Sequence, residues 1–271
     1  MTAEKVHLTG EKATLLATLY GRALDSLAKQ PILGDPFAIH AARRLDYDLR
    51  RTRVSPTHAA VIALRAKQLD LWTAEFVAAH PEAVVLHLAC GLDSRVHRLD
   101  PPPTVEWYDV DYPEVIELRE RIYPGRDAYR MIAASVTDPG WLREVRGNRP
   151  ALVVAEGLTM YLREQDGLDL FRRLTGHFPE GELAFDAYTR LGVRLQRFNA
   201  AVRAAGATLY WGFDDPAALE RAVPGVRLVA EVGLLDVPGF DRLSRGDRVT
   251  FRLLSSVLPL RRLARLLRYR F

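Results

Sequence analysis

Apolar positions change rhythm once along this chain, near residue 80. Before that point, EKATLLATLYGRALDSL repeats apolar residues at three- and four-residue intervals, which predicts a helix that Pro31 and Gly34 close. A second helix is predicted after Pro36. A third is predicted over SPTHAAVIALRAKQLDLWTAEFVAAHP, with Ser55 as its N-cap, Pro56 at the first helical position and Pro81 blocking continuation. Its apolar stripe is Ile62, Ala66, Leu69, Trp72 and Phe76.

From Ala83 the pattern becomes short apolar runs: AVVLHLA, TVEWYDV, YRMIAAS, ALVVAE, ELAFDA, VRLVAEV and RVTFRLL. Each predicts a strand. YPEVIELRERI, DPGWLREV and REQDGLDLFRRLTGHF can carry crossover helices, so the first five strands are expected to pair in parallel through right-handed βαβ units. The last two are joined by a Gly-, Pro- and Asp-bearing loop without helical periodicity, and RVTFRLL is expected to return antiparallel. The layout is α/β: one domain over 1–271, with a helical cap at 1–80, a sheet core at 83–254 and a basic tail at 255–271.

In the tail, LPLRRLARLLRYRF sets Leu260, Leu263, Leu266 and Leu267 at helical spacing, with Arg261, Arg262, Arg265 and Arg268 between them. Two readings compete: a terminal helix docking its leucines on the domain, and a basic amphipathic helix on an anionic membrane or nucleic acid. The first is the commoner use of such a pattern. The chain's 38 basic and 34 acidic residues are well mixed along most of its length, so the net charge of +4 marks no nucleic-acid surface.

Composition narrows the class further. At 271 residues and 48% apolar content the chain can bury one sizeable core. No run approaches the roughly 18 apolar residues of a membrane span, and MTAEKVHLTGEK lacks a signal-peptide core, so a cytoplasmic protein is expected. The lone Cys90 forms neither an internal disulfide nor a metal cluster, and no metal is expected.

In doubly wound sheets, ligands sit outside the carboxyl ends of the strands. The first strand stops at Ala89, Cys90 and Gly91, with one glycine where a dinucleotide site uses three. Twenty positions beyond Gly91, WYDVDYPEV offers Asp109 and Asp111 at the separation of a ribose-binding carboxylate. Asp111 is preferred because it lies farther out, although either can cap the helix that Pro113 opens. Without glycine at 89 and 90 a pyrophosphate cannot approach closely. A phosphate-free nucleoside can, its ribose reaching Asp111 and a compact carboxylate meeting the amides near Gly91. S-adenosylmethionine is such a ligand, and the loop disfavours a nicotinamide oxidoreductase.

Two further charges sit where charges are costly. Arg65 lies at the edge of the third helix's apolar stripe and needs a partner: a ligand carboxylate, or Asp70 in a structural pair. Glu156 ends the apolar run ALVVA. It can receive an amino group and complement a sulfonium, or pair with an arginine such as Arg65. Tyr161 follows within about a turn.

These stretches together resemble the leucine carboxyl methyltransferase family, in its bacterial branch of tetracenomycin-type polyketide O-methyltransferases. The resemblance runs from LTGEKATLLATLYGRALDS through RLDYD, VSPTHAAVIALRAKQLDLWT, LHLACGLDSRVHRLD, WYDVDYPEVIELRERIYP and SVTDPGWL to LVVAEGLTMYL and GELAFDAYTRLG. It implies a class I, Rossmann-like methyltransferase fold with seven strands, the last antiparallel, and S-adenosylmethionine as cofactor. It also implies cofactor contacts at Arg65, the Ala89, Cys90 and Gly91 loop, Asp111 and Glu156, and at Ser135 and Val136 after the third strand. Two departures stand out. Ala89 occupies a position usually held by glycine, and Ser135 one that often carries a carboxylate near the adenine, with Asp138 a displaced substitute.

Methyl transfer depends chiefly on holding the acceptor in line with the methyl carbon. A carboxylate acceptor needs no base, whereas a phenol or alcohol benefits from one. Tyr161 and Arg65 are the candidate catalytic groups, and Tyr161, Tyr188 and Arg190 the candidate substrate contacts. His87 reads as a core histidine, while His58 and His97 are candidate bases near the mouth. The expected activity is O-methylation of a small polyketide-like carboxylate or hydroxyl. A protein C-terminal carboxyl methyltransferase and a non-catalytic cofactor-binding module are the alternatives. The sequence leaves oligomeric state open.

Overall fold

The computed structural model describes residues 4, 5, 8, 10–198, 200–256 and 263–271. Seven strands form one sheet: β1 (Val84–Leu88), β2 (Glu106–Asp111), β3 (Tyr129–Ala133), β4 (Ala151–Ala155), β5 (Gly181–Tyr188), β6 (Arg227–Gly233) and β7 (Ala264–Arg270), in spatial order β3-β2-β1-β4-β5-β7-β6. The first five pair in parallel. β7 lies antiparallel between β5 and β6, with Phe185 opposite Leu267 and Glu231 opposite Leu267 on the other side. The order reverses between β1 and β4, placing a switch point at the carboxyl end of β1.

β1 and β4 are buried at all five positions, as expected of central strands covered on both faces. One face packs Leu86, Val110, Val153, Phe171, Phe185, Leu267 and Tyr269, and the other packs Leu69, Trp72, Val85, Trp107, Leu152, Val154 and Leu266.

The cap is made of α1 (Thr14–Ser26), α2 (Pro36–Arg44) and α3 (Pro56–Ala79). α3 begins as its residues require: Ser55 Oγ accepts from the His58 N–H at 3.2 Å, Pro56 opens the helix, and the helix ends before Pro81. α4 (Arg95–Leu99) and α5 (Pro113–Ile122) precede β2 and β3, and α6 (Glu164–His177) precedes β5. DPGWLREV, expected to carry a crossover helix, supplies only a single 3-10 turn at Trp141–Glu144. After β5 come α7 (Arg190–Arg194), α8 (Ala200–Ala205) and α9 (Ala217–Ala222), and α10 (Arg245–Ser256) precedes β7.

Two C-terminal expectations are corrected. RVTFRLL lies in α10, not in a strand. Ser244 Oγ accepts from the Asp247 N–H at 3.1 Å and starts the helix despite the β-branched Val249 and Thr250. The sheet therefore does not end at 254. The tail is no docked helix, because residues 264–270 form β7, whose Leu267 and Tyr269 face one core and Leu266 the other. Leucines at 263, 266 and 267 satisfy both periods over so short a stretch. The arginines decide through pairing: Arg265 with Glu231 at 2.7 Å, and Arg268 with Glu182 and Glu75 at 2.6 Å each. Leu260, Arg261 and Arg262 lie outside the described residues. Among those described, no helix is long and apolar enough to cross a membrane.

Candidate active site

The carboxyl ends of the central strands open into a cavity of about 510 Å3, within the roughly 300–1,000 Å3 of small-molecule pockets. α1 and α3 wall it. α8 closes over it, packed against α1 and the 3-10 turns at Gly10–Ala13 and Leu49–Thr52.

β1 leaves the sheet through left-handed backbone at Ala89 (φ 49°) and Gly91 (φ 50°). Glycine adopts this region freely and alanine does not. The turn aims the Gly91 N–H at Asp111 Oδ2, 2.7 Å away, while the Tyr112 N–H donates to Asp111 Oδ1 at 2.7 Å. Asp111 thus ties the ends of β1 and β2 together at the cavity wall, and burial raises its pKa. Of the amides near Gly91 expected to meet a ligand carboxylate, the Gly91 N–H itself is engaged by Asp111. Asp109 is structural, bonded to Arg119, to the Trp107 indole at 2.8 Å and to the Tyr129 hydroxyl at 2.7 Å.

Arg65 reaches the cavity from α3. Its Nε donates to Glu156 Oε1 and its Nη1 to Asp186 Oδ2, both at 3.1 Å. It does not pair with Asp70, whose carboxylate is taken by Arg95 at 2.8 Å and Arg98 at 2.6 Å. Arg95 also donates to Glu156 Oε2 at 2.6 Å. Burial pushes the Glu156 carboxyl up, but the guanidinium groups of Arg65, Arg95 and Arg22 outweigh it and hold the pKa below the ordinary value. Asp186 accepts from the Gly157 N–H at 2.6 Å, and burial raises its pKa.

Ser135 and Val136 line the cavity with Ala89, Cys90, Gly91, Tyr161 and Tyr188. Burial raises the Tyr161 phenol to about 12 and pushes Tyr188 up as well. Three expected residues lie elsewhere. Arg190 opens α7 after the Thr189 cap, with its side chain 69% exposed beside Asp214, and does not line the cavity. Asp138 is exposed and accepts from the Gly140 N–H at 2.8 Å. His97 packs between the rings of Phe37 and Tyr123, and burial lowers its pKa to about 4, so it is no base at the mouth. His58 lines the cavity, and so does His87, a buried residue of β1 held near Asp109 at 3.2 Å and Arg95 at 3.3 Å.

Sequence reasoning missed Asp186, Arg22 and Asp93, all buried. Asp186 carries the same signal as Glu156, a carboxylate closing an apolar strand run. Arg22 and Asp93 carry none, since only the packing of α1 on the β1 loop brings them together. Arg22 Nε and Asp93 Oδ2 are buried without a hydrogen-bond partner among the described residues, and both side chains line the cavity. Unmade buried polar bonds beside a ribose-type carboxylate and flanking Val115, Ala134 and Val136 fit a phosphate-free nucleoside bearing charged groups. No group of three His, Cys, Asp or Glu residues among those described can hold a metal ion.

Strand order, the antiparallel β7 and a cavity at the parallel strands' carboxyl ends define a class I, Rossmann-like methyltransferase. Two solved structures share this fold. A methyltransferase of Thermobifida fusca has a TM-score of 0.59 at 16% identity, covering 92% of this chain and 93% of that one. NodS, an N-methyltransferase of Bradyrhizobium japonicum in complex with S-adenosylhomocysteine, has a TM-score of 0.51 at 13% identity, covering 87% and 98%.

Residues 15–175 match the leucine carboxyl methyltransferase family, and the chain belongs to it. It is 50% identical over 268 residues, 99% of each chain, to the tetracenomycin polyketide synthesis O-methyltransferase TcmP of Streptomyces glaucescens. It is 37% identical over 244 residues, 82% of each, to the S-adenosyl-L-methionine-dependent methyltransferase dpfgK of Gibberella zeae. The chain is accordingly an S-adenosylmethionine-dependent methyltransferase.

Proposed function

We propose that this enzyme methylates an oxygen, carboxylate or hydroxyl, of a small polyketide-like aromatic acceptor in cytoplasmic secondary metabolism. The observation that carries the reading is one continuous cavity in which the strand-end charges adjoin an aromatic and apolar half formed by Tyr161, Tyr188, Tyr210, Met160 and Val61. The 50% identity to a polyketide O-methyltransferase supports the same acceptor class. A roof made by α8 favours a compact acceptor over a protein C-terminus.

When bound, S-adenosylmethionine supplies a methyl group on a positively charged sulfur. In this proposal Asp111 holds the ribose hydroxyls, Ala89, Cys90 and Gly91 border the adenosyl moiety, and Ser135 and Val136 border the adenine. Glu156, kept ionised by its arginines, complements the sulfonium charge. Arg65 stands at the junction of the two halves and orients the acceptor oxygen, with Tyr161 and Tyr188 stacking on or hydrogen-bonding to the acceptor ring. A carboxylate acceptor arrives ionised and needs only this positioning, whereas a phenol benefits from a base, for which His58 on the cavity wall is the candidate.

The test is methyl transfer followed by mass spectrometry across polycyclic aromatic acids, their phenolic counterparts and peptides ending in leucine. Methylation of the aromatic compounds alone is expected. Turnover confined to the peptides would overturn the reading.

A further inference from the structure

From α3, the residues His58, Val61, Ile62 and Arg65 line the cavity. Their spacing of three and four puts them on one face of the helix, so α3 walls the acceptor half lengthwise. Exposure falls along that face, from exposed His58 to Arg65, whose side chain is 18% exposed and tied to Glu156 and Asp186. The mouth therefore lies at the start of α3, with the strand-end charges farther in. From His58 to Arg65 the helix rises about 10 Å.

Arg53 lines the cavity at that mouth, in the link between the 3-10 turn Leu49–Thr52 and α3. Its exposed guanidinium has neither a hydrogen bond nor an ion pair among the described residues. Other cations of the wall are engaged: Lys12 by Glu114, Arg65 by two carboxylates, and Arg22 within ion-pair range of Asp93 and Glu156. Glu11 stands instead by Lys12 and Tyr112 at the end of β2. Arg53 also holds an uncommon backbone, with φ 56° and ψ 28°, fixed by its N–H donating to the Arg50 carbonyl at 3.0 Å. A side chain in this left-handed region costs stability that glycine would not, and such cost gathers where a side chain is used. α8 packs on the same 3-10 turn, which sets Arg53 at the rim between the roof and α3.

We propose that Arg53 is a specificity-determining residue that reads a second acidic group on the acceptor, at the end remote from the oxygen that is methylated. The inference rests on the cavity holding an aromatic acceptor with that oxygen at Arg65. It specifies the acceptor class: rigid, elongated, and carrying a carboxylate or phenolate about 10 Å from the reacting oxygen, the span along α3. A guanidinium suits the task because its fork of donors matches such oxygens and its charge persists at any working pH.

The test is steady-state methyl transfer by the full-length enzyme to anthracene-2,6-dicarboxylic acid, 6-hydroxyanthracene-2-carboxylic acid and the shorter benzene-1,4-dicarboxylic acid, each set against its monoacid. The 2,6-diacid spans roughly the distance from Arg65 to the mouth. In the wild type its kcat/KM should exceed the monoacid's by at least about fivefold, beyond the twofold that two equivalent ends supply, with the hydroxy acid between them. The short diacid should show only that twofold. Turnover of the 2,6-diacid should slow at the monoester, which has lost its second charge. Arg53→Gln should bring the 2,6-diacid preference down to the twofold, through KM more than kcat, and Arg53→Lys should retain part of it. Arg53→Gly should lose the preference while the melting temperature holds or rises, because glycine takes φ 56° freely, and this separates lost recognition from lost folding. A wild-type preference no greater than twofold, a preference that survives in Arg53→Gln, or a fall shared equally by monoacid and diacid would each overturn the inference. No methylation of any of these acids would overturn the acceptor reading on which it rests.

Discussion

Arg65 and Asp186 meet at 3.1 Å across 121 positions of sequence, joining the cap helix α3 to the end of β5 at the cavity. The same carboxylate receives the Gly157 N–H at 2.6 Å, so one side chain sets both the arginine and the turn after β4. Asp186→Ala removes both bonds and leaves the half-buried Arg65 guanidinium with Glu156 alone, at a cost of about 1–3 kcal/mol. Asp186→Asn keeps an oxygen for Gly157 but loses the ion pair. We expect the alanine variant to show the larger fall in denaturation midpoint. Both should lose at least about tenfold in kcat/KM, the loss expected when a positioning interaction of about 1.4 kcal/mol disappears. Wild-type kinetics in both variants would show that Arg65 needs no such support.

The parts of this site legible in the sequence are those written locally. Ser55, Pro56 and Pro81 bound α3, and an apolar run ending in a carboxylate marks Glu156 at a strand lip. The interval between Gly91 and Asp111 spans one βα unit, so spacing alone places both at the same edge. Arg22 and Asp93 were illegible because their meeting depends on how α1 docks, which no local pattern encodes. Arg190 fails for a related reason: the Thr189 cap starts a new helix and turns the side chain outward, beyond what its position after β5 reveals. β7 and α10 exchanged identities because runs of seven residues fit both periods, and only partners distant in sequence, Glu182 and Glu231, settle the strand.

That exchange predicts the effect of truncation. β7 is hydrogen-bonded on both sides, and Leu267 and Tyr269 are fully buried. Deleting residues 263–271 would strip β6 of the strand it pairs with and expose the edge of β5. We expect loss of cooperative thermal unfolding and insoluble protein, as when a central strand is removed. A folded, active truncated enzyme would mean that the last nine residues are an appendage.

Ala89 predicts a gain. Its φ of 49° costs a non-glycine residue about 1–2 kcal/mol, of which glycine gives back roughly half through its freer unfolded chain. Ala89→Gly should therefore raise the melting temperature by about 1–4 °C. Removing the methyl also widens the cavity beside the cofactor loop, so S-adenosylhomocysteine affinity should not fall. Gly91→Ala should do the reverse, since φ there is 50° and the new Cβ would stand 3.1 Å from Leu15 Cβ. Destabilisation by Ala89→Gly would show that the methyl contributes more in packing than the backbone loses in strain.

His97 predicts a pH effect on stability that leaves catalysis unaltered. Burial is the main cause of its fall from 6.5 to about 4, with the Arg119 charge adding to it, so the folded protein prefers the neutral ring. A base whose pKa is lower when folded stabilises the fold above its unfolded value. As pH falls from about 6.5 towards 4 the unfolded chain takes up a proton that the folded one refuses, and that stability drains away. His97→Phe keeps a ring between Phe37 and Tyr123 and has nothing to protonate. Its melting temperature should decline less than the wild type's between pH 6.5 and 4, because one proton-linked loss is gone. Since His97 does not line the cavity, the pH profile of kcat should keep its shape. Parallel melting curves for the two proteins across that range would contradict the buried neutral imidazole, and a displaced kcat profile would return His97 to the list of candidate bases.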